Sequence, residues 1–267
     1  MPVSVIDVHH VEEVLRPIWN TKNETADRVR QRIGRVLDYA KVKKYRTGDN
    51  PAGWKGNLSE IFPKPTDVQV KKHFKAMDFK DVPEYFRELR EIDTITAKAL
   101  AFTILTASRN TEGRCAVWSE IDLKGRMWTL PKERMKAKKA HRVPLSDEAL
   151  KILDEVKGYD DTYLFPGIKK NQSISEATVR MLLRSTHDGL TVHGFRSAFC
   201  DWCAEMTNYP RKVIEHALAH QLKDETERAY QRSDLFDKRR LLMEAWSDYC
   251  LNGKTDADVV PINKTAI

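Results

Sequence analysis

Nowhere in the 267 residues does an apolar run reach the roughly eighteen residues of a membrane-crossing helix, and no charged-then-apolar leader opens the chain. Neither membrane insertion nor secretion is therefore expected. Cysteine is scarce, with four residues in this length. So few exclude a disulfide scaffold and fit a reducing compartment, which makes the cytoplasm the expected location. Cys200 and Cys203 have CxxC spacing, but zinc would want a second pair at similar spacing, and Cys115 and Cys250 stand alone. The pair is expected to lie on a helix whose apolar positions fill the core. No GxxxxGK loop is present to cradle nucleotide phosphates, and neither an internal repeat nor a long low-complexity tract appears. What the chain has is ordinary core material, 41% hydrophobic, and an excess of cations: formal charge +7 and pI about 9.1. That balance favours a polyanionic partner.

The first seventy residues read as helical and basic. Thr21 to Glu24 have capping-box spacing, and Ala26, Val29, Ile33, Val36, Leu37 and Ala40 then recur at a helical period as a core face. Arg28, Arg30, Arg32 and Arg35 occupy the remaining surface, with Lys41, Lys43, Lys44 and Arg46 at or beyond the helix end. Their density favours phosphate contact over a merely solvated face. Asn50-Pro51-Ala52-Gly53 interrupts the pattern, and apolar residues around Leu58 and Ile61 close a small bundle. Pro63 and Pro65 announce a linker.

A second unit opens with helices at 82–91 and 94–106, the latter apolar on nearly every side and so expected to be central and buried. Residues 116–121 and 127–130 flank Lys124-Gly125 as an expected hairpin, and 142–145 supplies a third strand. The turn between the last two, from Pro131 to His141, is exposed and basic. Ser146 and Ser175 are expected N-caps for helices at 147–156 and 176–184, and Pro210 suits the first turn of a helix running towards His220. Residues 235–251 form a last amphipathic helix, with Leu241, Leu242, Ala245, Trp246 and Tyr249 on one stripe and Gly253 at its end. The fold class is mainly α with a small antiparallel β-sheet (α+β). Expected boundaries are a helical domain at 1–70, a linker at 71–76, a catalytic domain at 77–253 and a mobile tail at 254–267.

Five residues in order carry candidate chemistry: Arg109, then His193 and Arg196 in His193-Gly194-Phe195-Arg196, then His220, then Tyr230. A tyrosine hydroxyl, with a reference pKa of about 10, needs a base and a cationic environment to act as a nucleophile. Arginine supplies that environment for phosphorus, because its planar fork pairs with phosphate oxygens and stays charged. Histidine can accept the nucleophile's proton or hydrogen-bond the phosphate near neutral pH.

Taken with Trp118-Ser119-Glu120-Ile121-Asp122, Arg134-Met135-Lys136, His141-Arg142-Val143-Pro144-Leu145, Leu218-Ala219-His220 and Ala229-Tyr230-Gln231-Arg232, this order resembles the tyrosine recombinase family, specifically the bacteriophage and genomic-island (prophage) integrases. The preceding basic unit, with Arg16-Pro17-Ile18-Trp19 and Asn50-Pro51-Ala52, is similar to the core-binding domain of those integrases. The resemblance implies that Tyr230 attacks the scissile phosphate to give a 3'-phosphotyrosyl enzyme and a free 5'-hydroxyl. It makes Arg109 and Arg196 the clamp on the non-bridging oxygens, His193 the proton-transfer partner and His220 a phosphate hydrogen-bond donor. Lys136 matches the lysine that protonates the leaving oxygen, in competition with Lys138 and Lys139 on the same turn, and Glu112 the acid that holds Arg109. His141 is expected in the hairpin or on DNA rather than in catalysis. Expected DNA contacts are Arg28, Arg32, Arg35, Lys43, Lys44, Arg134, Lys138 and Lys139.

On this reading no metal or other cofactor is needed, since Glu112 is the one acidic position in the proposed set. The implied partners are double-stranded DNA carrying core-type attachment sites, three further copies in a homotetramer, and a directionality factor or host DNA-bending protein, with no membrane. Such a protein would sit with the nucleoid when bound. Many related integrases carry an additional small domain for arm-type sites; here the sequence opens on the core-binding unit, so core-site cleavage without arm-site recognition is expected. Two other readings remain: a monomeric type IB topoisomerase sharing the chemistry, and a catalytically silent architectural protein. Docking of the helix at 235–249 on a neighbouring copy would favour the recombinase.

Overall fold

The computed structural model describes residues 1–68, 76–220 and 233–253. The chain divides into two compact units, Met1–His73 and Phe74–Ile267.

In the first unit, α1 (Val8–Trp19) begins where the Asp7 carboxylate accepts the His10 N–H at 3.1 Å. Val11, Leu15 and Trp19 recur every fourth residue and are buried against α2 (Asn23–Val42), which contributes Ala26 and Leu37. Trp19 stacks between Trp54 and Phe62, at 5.6 and 4.6 Å between ring centroids, and its Nε1 donates to Pro63 O. Pro63 is exposed but tied to this core through its carbonyl, and a four-residue helix, α3 (Pro65–Val68), follows it. Two expectations are corrected. The Thr21 capping box does not form: the Thr21 hydroxyl donates to Pro17 O, and α2 starts after Lys22 with no side-chain cap. Val36 is 58% exposed, because the buried stripe of α2 passes through Ala26, Leu37 and Ala40 and leaves Val36 beside it.

The second unit is built around α5 (Ile95–Leu105). Thr94 caps it, and residues 97–105 are buried without interruption. Around it lie α4 (Val82–Glu91), α6 (Asn110–Arg114), α7 (Asp147–Val156), α8 (Glu176–Thr186), α9 (Gly194–Met206), α10 (Arg211–Ala217) and α11 (Phe236–Asn252). The Ser146 and Ser175 hydroxyls accept backbone N–H groups at the starts of α7 and α8, at 3.3 and 3.1 Å. Pro210 is the N-cap of α10 rather than a first-turn residue. Cys200 and Cys203 are free thiols on α9, and Cys203 is buried in the core.

The sheet is antiparallel in the order β1 (Ile121–Asp122), β2 (Met127–Leu130), β3 (His141–Pro144), with Ile121 opposite Trp128 and Leu130 opposite His141. The strand expected over 116–121 is mostly absent. Val117 makes one bridge to Tyr163, and residues 118–120 curl into a 3-10 turn because the Trp118 indole and backbone N–H groups both donate to the loop at 160–162.

Helix α11 packs into its own unit. Trp246 Nε1 donates to Ile104 O at 2.9 Å, and Tyr249 Oη to Phe79 O at 3.2 Å. Both rings join Phe199 and Trp202 in one aromatic cluster. These contacts cover the Trp246 and Tyr249 side of the helix within its own unit. Leu241, assigned to that face, is 61% exposed, while Arg239, Leu242, Met243 and Cys250 are buried with Trp246 and Tyr249. Among the described residues no helix is long and apolar enough to cross a membrane.

Candidate active site

Two helix ends of the same design deliver the first half of the site. At the end of α5, Ala107 takes a left-handed conformation (φ +46°), while the N–H groups of Ala107 and Ser108 return to the carbonyls of Ile104 and Thr103. At the end of α10, Ala219 (φ +50°) does the same, and the N–H groups of Ala219 and His220 return to His216 and Glu215. Both are Schellman caps with alanine where glycine is usual. Arg109 and His220 emerge directly from these two reversals.

Arg196, from the first turn of α9, ties the two ends together. Its Nη1 donates to Ala107 O, and its Nη2 to Leu218 O at 2.7 Å. The side chain is buried, and burial together with the nearby Arg109 charge pulls its pKa down to about 10. It therefore remains a cation at neutral pH. Its partners explain how a buried charge is tolerated: both carbonyls belong to helix C-termini, where the macrodipoles place partial negative charge. Arg196 Nη2 also lies 3.3 Å from His220 Nε2.

Arg109 precedes α6. Glu112, one turn into that helix, accepts its backbone N–H (Oε2, 2.9 Å) and its guanidinium (Oε1, 2.7 Å). Both carboxylate oxygens are thus occupied, and among the described residues no group of three metal-ligating side chains gathers anywhere. The two guanidiniums are near enough for their charges to repel, and Glu112 partly offsets them. His193, the residue before α9, is exposed on the same side, and burial, Arg196, Arg109 and His220 hold its pKa below the ordinary histidine value. Its neutral imidazole is ready to accept a proton.

The turn between β2 and β3 is less free than expected. Arg134 is ion-paired with Glu120, and its Nη2 donates to Glu112 O at 2.7 Å. Met135 is buried. Arg134 thus forms an internal tie between this turn and α6. Lys136 follows directly and is exposed, as are Lys138 and Lys139.

His141 lies in the hairpin, one of the two places expected for it, at the start of β3 and near Arg239, Arg196 and Arg109. Burial and those cations push its pKa down to about 3, although a hydrogen bond to the Ala217 backbone works the other way.

Tyr230 lies outside the described residues. The chain resumes at residue 233, where Asp234 accepts two hydrogen bonds from Arg142 of β3 (2.9 and 2.8 Å) and one from Arg239 of α11 (2.9 Å). Arg239 is 1% exposed, and its guanidinium also donates to the carbonyls of Asp234 and Arg142. Glu215, Asp234 and Arg239 were not singled out in the sequence. The separation of Glu215 from His220 is five residues, outside the three- and four-residue helical pairings that sequence patterns reveal. In the first unit Arg28, Arg32, Arg35, Lys43 and Lys44 are all exposed; Arg28 pairs with Glu24, and Lys43 lies 5.8 Å over the Tyr39 ring.

Residues 75–235 match the pattern described as the phage integrase family, and residues 1–57 that of the phage integrase central domain. The prophage integrase IntA of Escherichia coli is 34% identical over 254 residues, covering 92% of this chain and 59% of the relative. The chain thus spans well under two thirds of that protein's length. Among solved structures, a lambda integrase dimer bound to a COC' core site superposes with a TM-score of 0.61 at 16% identity, covering 83% of this chain and 81% of that one. A lambda integrase tetramer bound to a Holliday junction gives a TM-score of 0.61 at 14% identity, covering 83% and 66%. These likenesses show the fold.

Proposed function

We propose that this chain, which belongs to the phage integrase family, is a site-specific DNA recombinase that cuts and rejoins DNA to integrate and excise a mobile element. One observation carries the reading: Arg109 and Arg196 lie near one another, with the Glu112 carboxylate paired to Arg109, an arrangement whose remaining positive charge a phosphodiester anion would neutralise. Electrostatic stabilisation of this kind is worth roughly two to three powers of ten in rate per donor.

In the proposed reaction the Tyr230 oxygen attacks the scissile phosphorus and gives its proton to His193. The bond to the 5'-oxygen breaks as Lys136 protonates it, leaving a 3'-phosphotyrosyl bond and a free 5'-hydroxyl. A 5'-hydroxyl from the partner duplex reverses these steps. One phosphoester replaces another, so the exchange is nearly isoenergetic and draws on no cofactor. Glu112 holds Arg109, and Lys138 and Lys139 meet flanking phosphates. In the first unit Arg28, Arg32, Arg35, Lys43 and Lys44 track the backbone of a core-type site. We assign core binding to residues 1–70 and catalysis to 77–253, with 71–76 as linker and 254–267 as tail. The assembly would be a homotetramer on two duplexes, by analogy with the junction-bound lambda integrase, in the cytoplasm of a bacterial cell. A directionality factor or DNA-bending protein would set its direction.

The test is covalent trapping. Incubated with a nicked genomic DNA library, the protein should become linked to one family of 3'-ends, whose sequencing defines the site. Tyr230→Phe should give no adduct while binding DNA normally. Adducts formed by that variant would overturn the nucleophile assignment, and relaxation of plasmids lacking the trapped site would favour a topoisomerase.

A further inference from the structure

Three imidazoles surround the two guanidiniums, and among the described residues only one of them carries a carboxylate. His220 Nδ1 lies 2.6 Å from Glu215 Oε2, and Glu215 is itself braced by Arg211 Nε at 3.4 Å. His193 and His141 have no such partner, and both are held below the ordinary histidine value. The Schellman cap creates the pairing: the left-handed Ala219 folds the chain back until His220 N donates to Glu215 O at 2.9 Å, placing the two side chains of the same residues together.

The contact fixes the imidazole's chemistry. Burial tends to raise the Glu215 pKa, but hydrogen bonds from His220 and Arg211 outweigh it and hold the carboxyl below its usual value. An ionised carboxylate only accepts, so Nδ1 must carry a proton. In the neutral ring Nε2 is then an acceptor, which suits its 3.3 Å contact with Arg196 Nη2. A phosphate oxygen is an acceptor too, so Nε2 can face it only after taking up a second proton.

We infer that Glu215 is a positioning residue of the phosphate site, holding His220 through Nδ1 and supporting its imidazolium so that Nε2 donates to the scissile phosphate as a third cation beside Arg109 and Arg196. This rests on the recombinase reading above. Without Glu215 the imidazolium would face the positive charges of Arg196 and Arg109 with no carboxylate hydrogen-bonded to it. Of the other ionisable groups near the pair, the Cys200 thiol is raised by burial and by Glu215, so it stays neutral, and Arg211 is exposed.

The experiment compares wild type, Glu215→Gln and Glu215→Ala. Gln keeps an oxygen to accept from Nδ1 but removes the charge. The alkaline limb of single-turnover adduct formation on the trapped nicked duplex should move down by about one pH unit in Glu215→Gln, the lower end of what an adjacent opposite charge provides. The rate should then fall about tenfold at pH above the wild-type limb, and acid should restore it. Glu215→Ala should lose the acid rescue as well, because the ring is no longer held, while melting and DNA affinity stay near wild type. An unmoved alkaline limb in Glu215→Gln overturns the inference while leaving Tyr230 adducts, and thus the recombinase reading, intact. A faster rate at low pH in Glu215→Gln also overturns it, since that is the mark of His220 acting as a neutral base. Failure of the wild-type protein to form adducts overturns both.

Discussion

Replacing Arg134 by methionine separates the two roles that this residue has been given. In the structure its guanidinium is divided between Glu120 and the Glu112 carbonyl. Removing one member of a fully buried ion pair costs about 3–5 kcal/mol, because a charge is left unpaired. Here the Glu120 side chain is 7% exposed but Arg134 is 23% exposed, and Glu120 keeps the Trp128 indole N–H at 2.9 Å. The expected loss is therefore smaller, roughly 2 kcal/mol, or a melting temperature lower by about 4–8 °C for a unit of this size. Adduct formation should fall by about one to two powers of ten, since the turn bearing Lys136 loses its tie to the helix that holds Arg109. The salt dependence of DNA affinity should not change. Adding Glu120→Gln should recover most of the stability, because the amide oxygen still accepts from Trp128 without leaving a charge behind. If Arg134→Met instead melts like wild type and lowers the salt slope by about one, Arg134 is a phosphate ligand and its internal tie is unimportant.

Two further outcomes follow from the caps and from the imidazoles. Ala107→Gly should stabilise the second unit by about 0.5–1 kcal/mol, the left-handed penalty of about 1–2 kcal/mol less the extra entropy of glycine; a lower denaturant midpoint would show that the left-handed turn is not strained. His141 is neutral in the folded protein, with its pKa near 3, and charges at about 6.5 when unfolded. Between those values the unfolded chain binds the extra proton, so stability is full above about pH 6.5 and is lost as pH falls, by at most ~1.4 kcal/mol per unit. His141→Gln should flatten that acid limb in denaturation curves, and an unchanged limb would place the titration elsewhere.

The helices were legible in the sequence wherever burial is one-sided or total. The run 97–105 and the caps Ser146 and Ser175 are local signals, and the structure realises them locally. The sequence was misleading where a residue's partner lies far along the chain. Residues 116–121 alternate like a strand, but Trp118 is drawn to the loop at 160–162. Arg134 reads as one more surface cation, and only the fold places Glu120 and the Glu112 carbonyl against it. Leu241 fits an amphipathic stripe on paper, yet the buried side of α11 also holds a charged residue, Arg239, which hydropathy patterns reject. The candidate site residues were found by residue type and order. Glu215, which holds His220, was not, because a five-residue separation is no helical pairing, nor were Asp234 and Arg239, whose contacts with Arg142 join a strand, a loop and a helix and leave no spacing to read.

The same contacts fix the described positions on either side of residues 221–232. On the near side, His220 is fixed through Glu215 and Arg196. On the far side, Asp234 is fastened to β3 through Arg142 and to α11 through Arg239, and both arginines lie over the Phe236 ring, at 4.6 and 5.5 Å from its centroid. Arg142 thus joins Asp234, just before α11, to β3, the strand into which the turn bearing Lys136 runs, while Arg196 ties His220 to the ends of α5 and α10. Removing either arginine would release a described element from its neighbour rather than delete a surface charge, because each side chain spends its hydrogen bonds inside the protein.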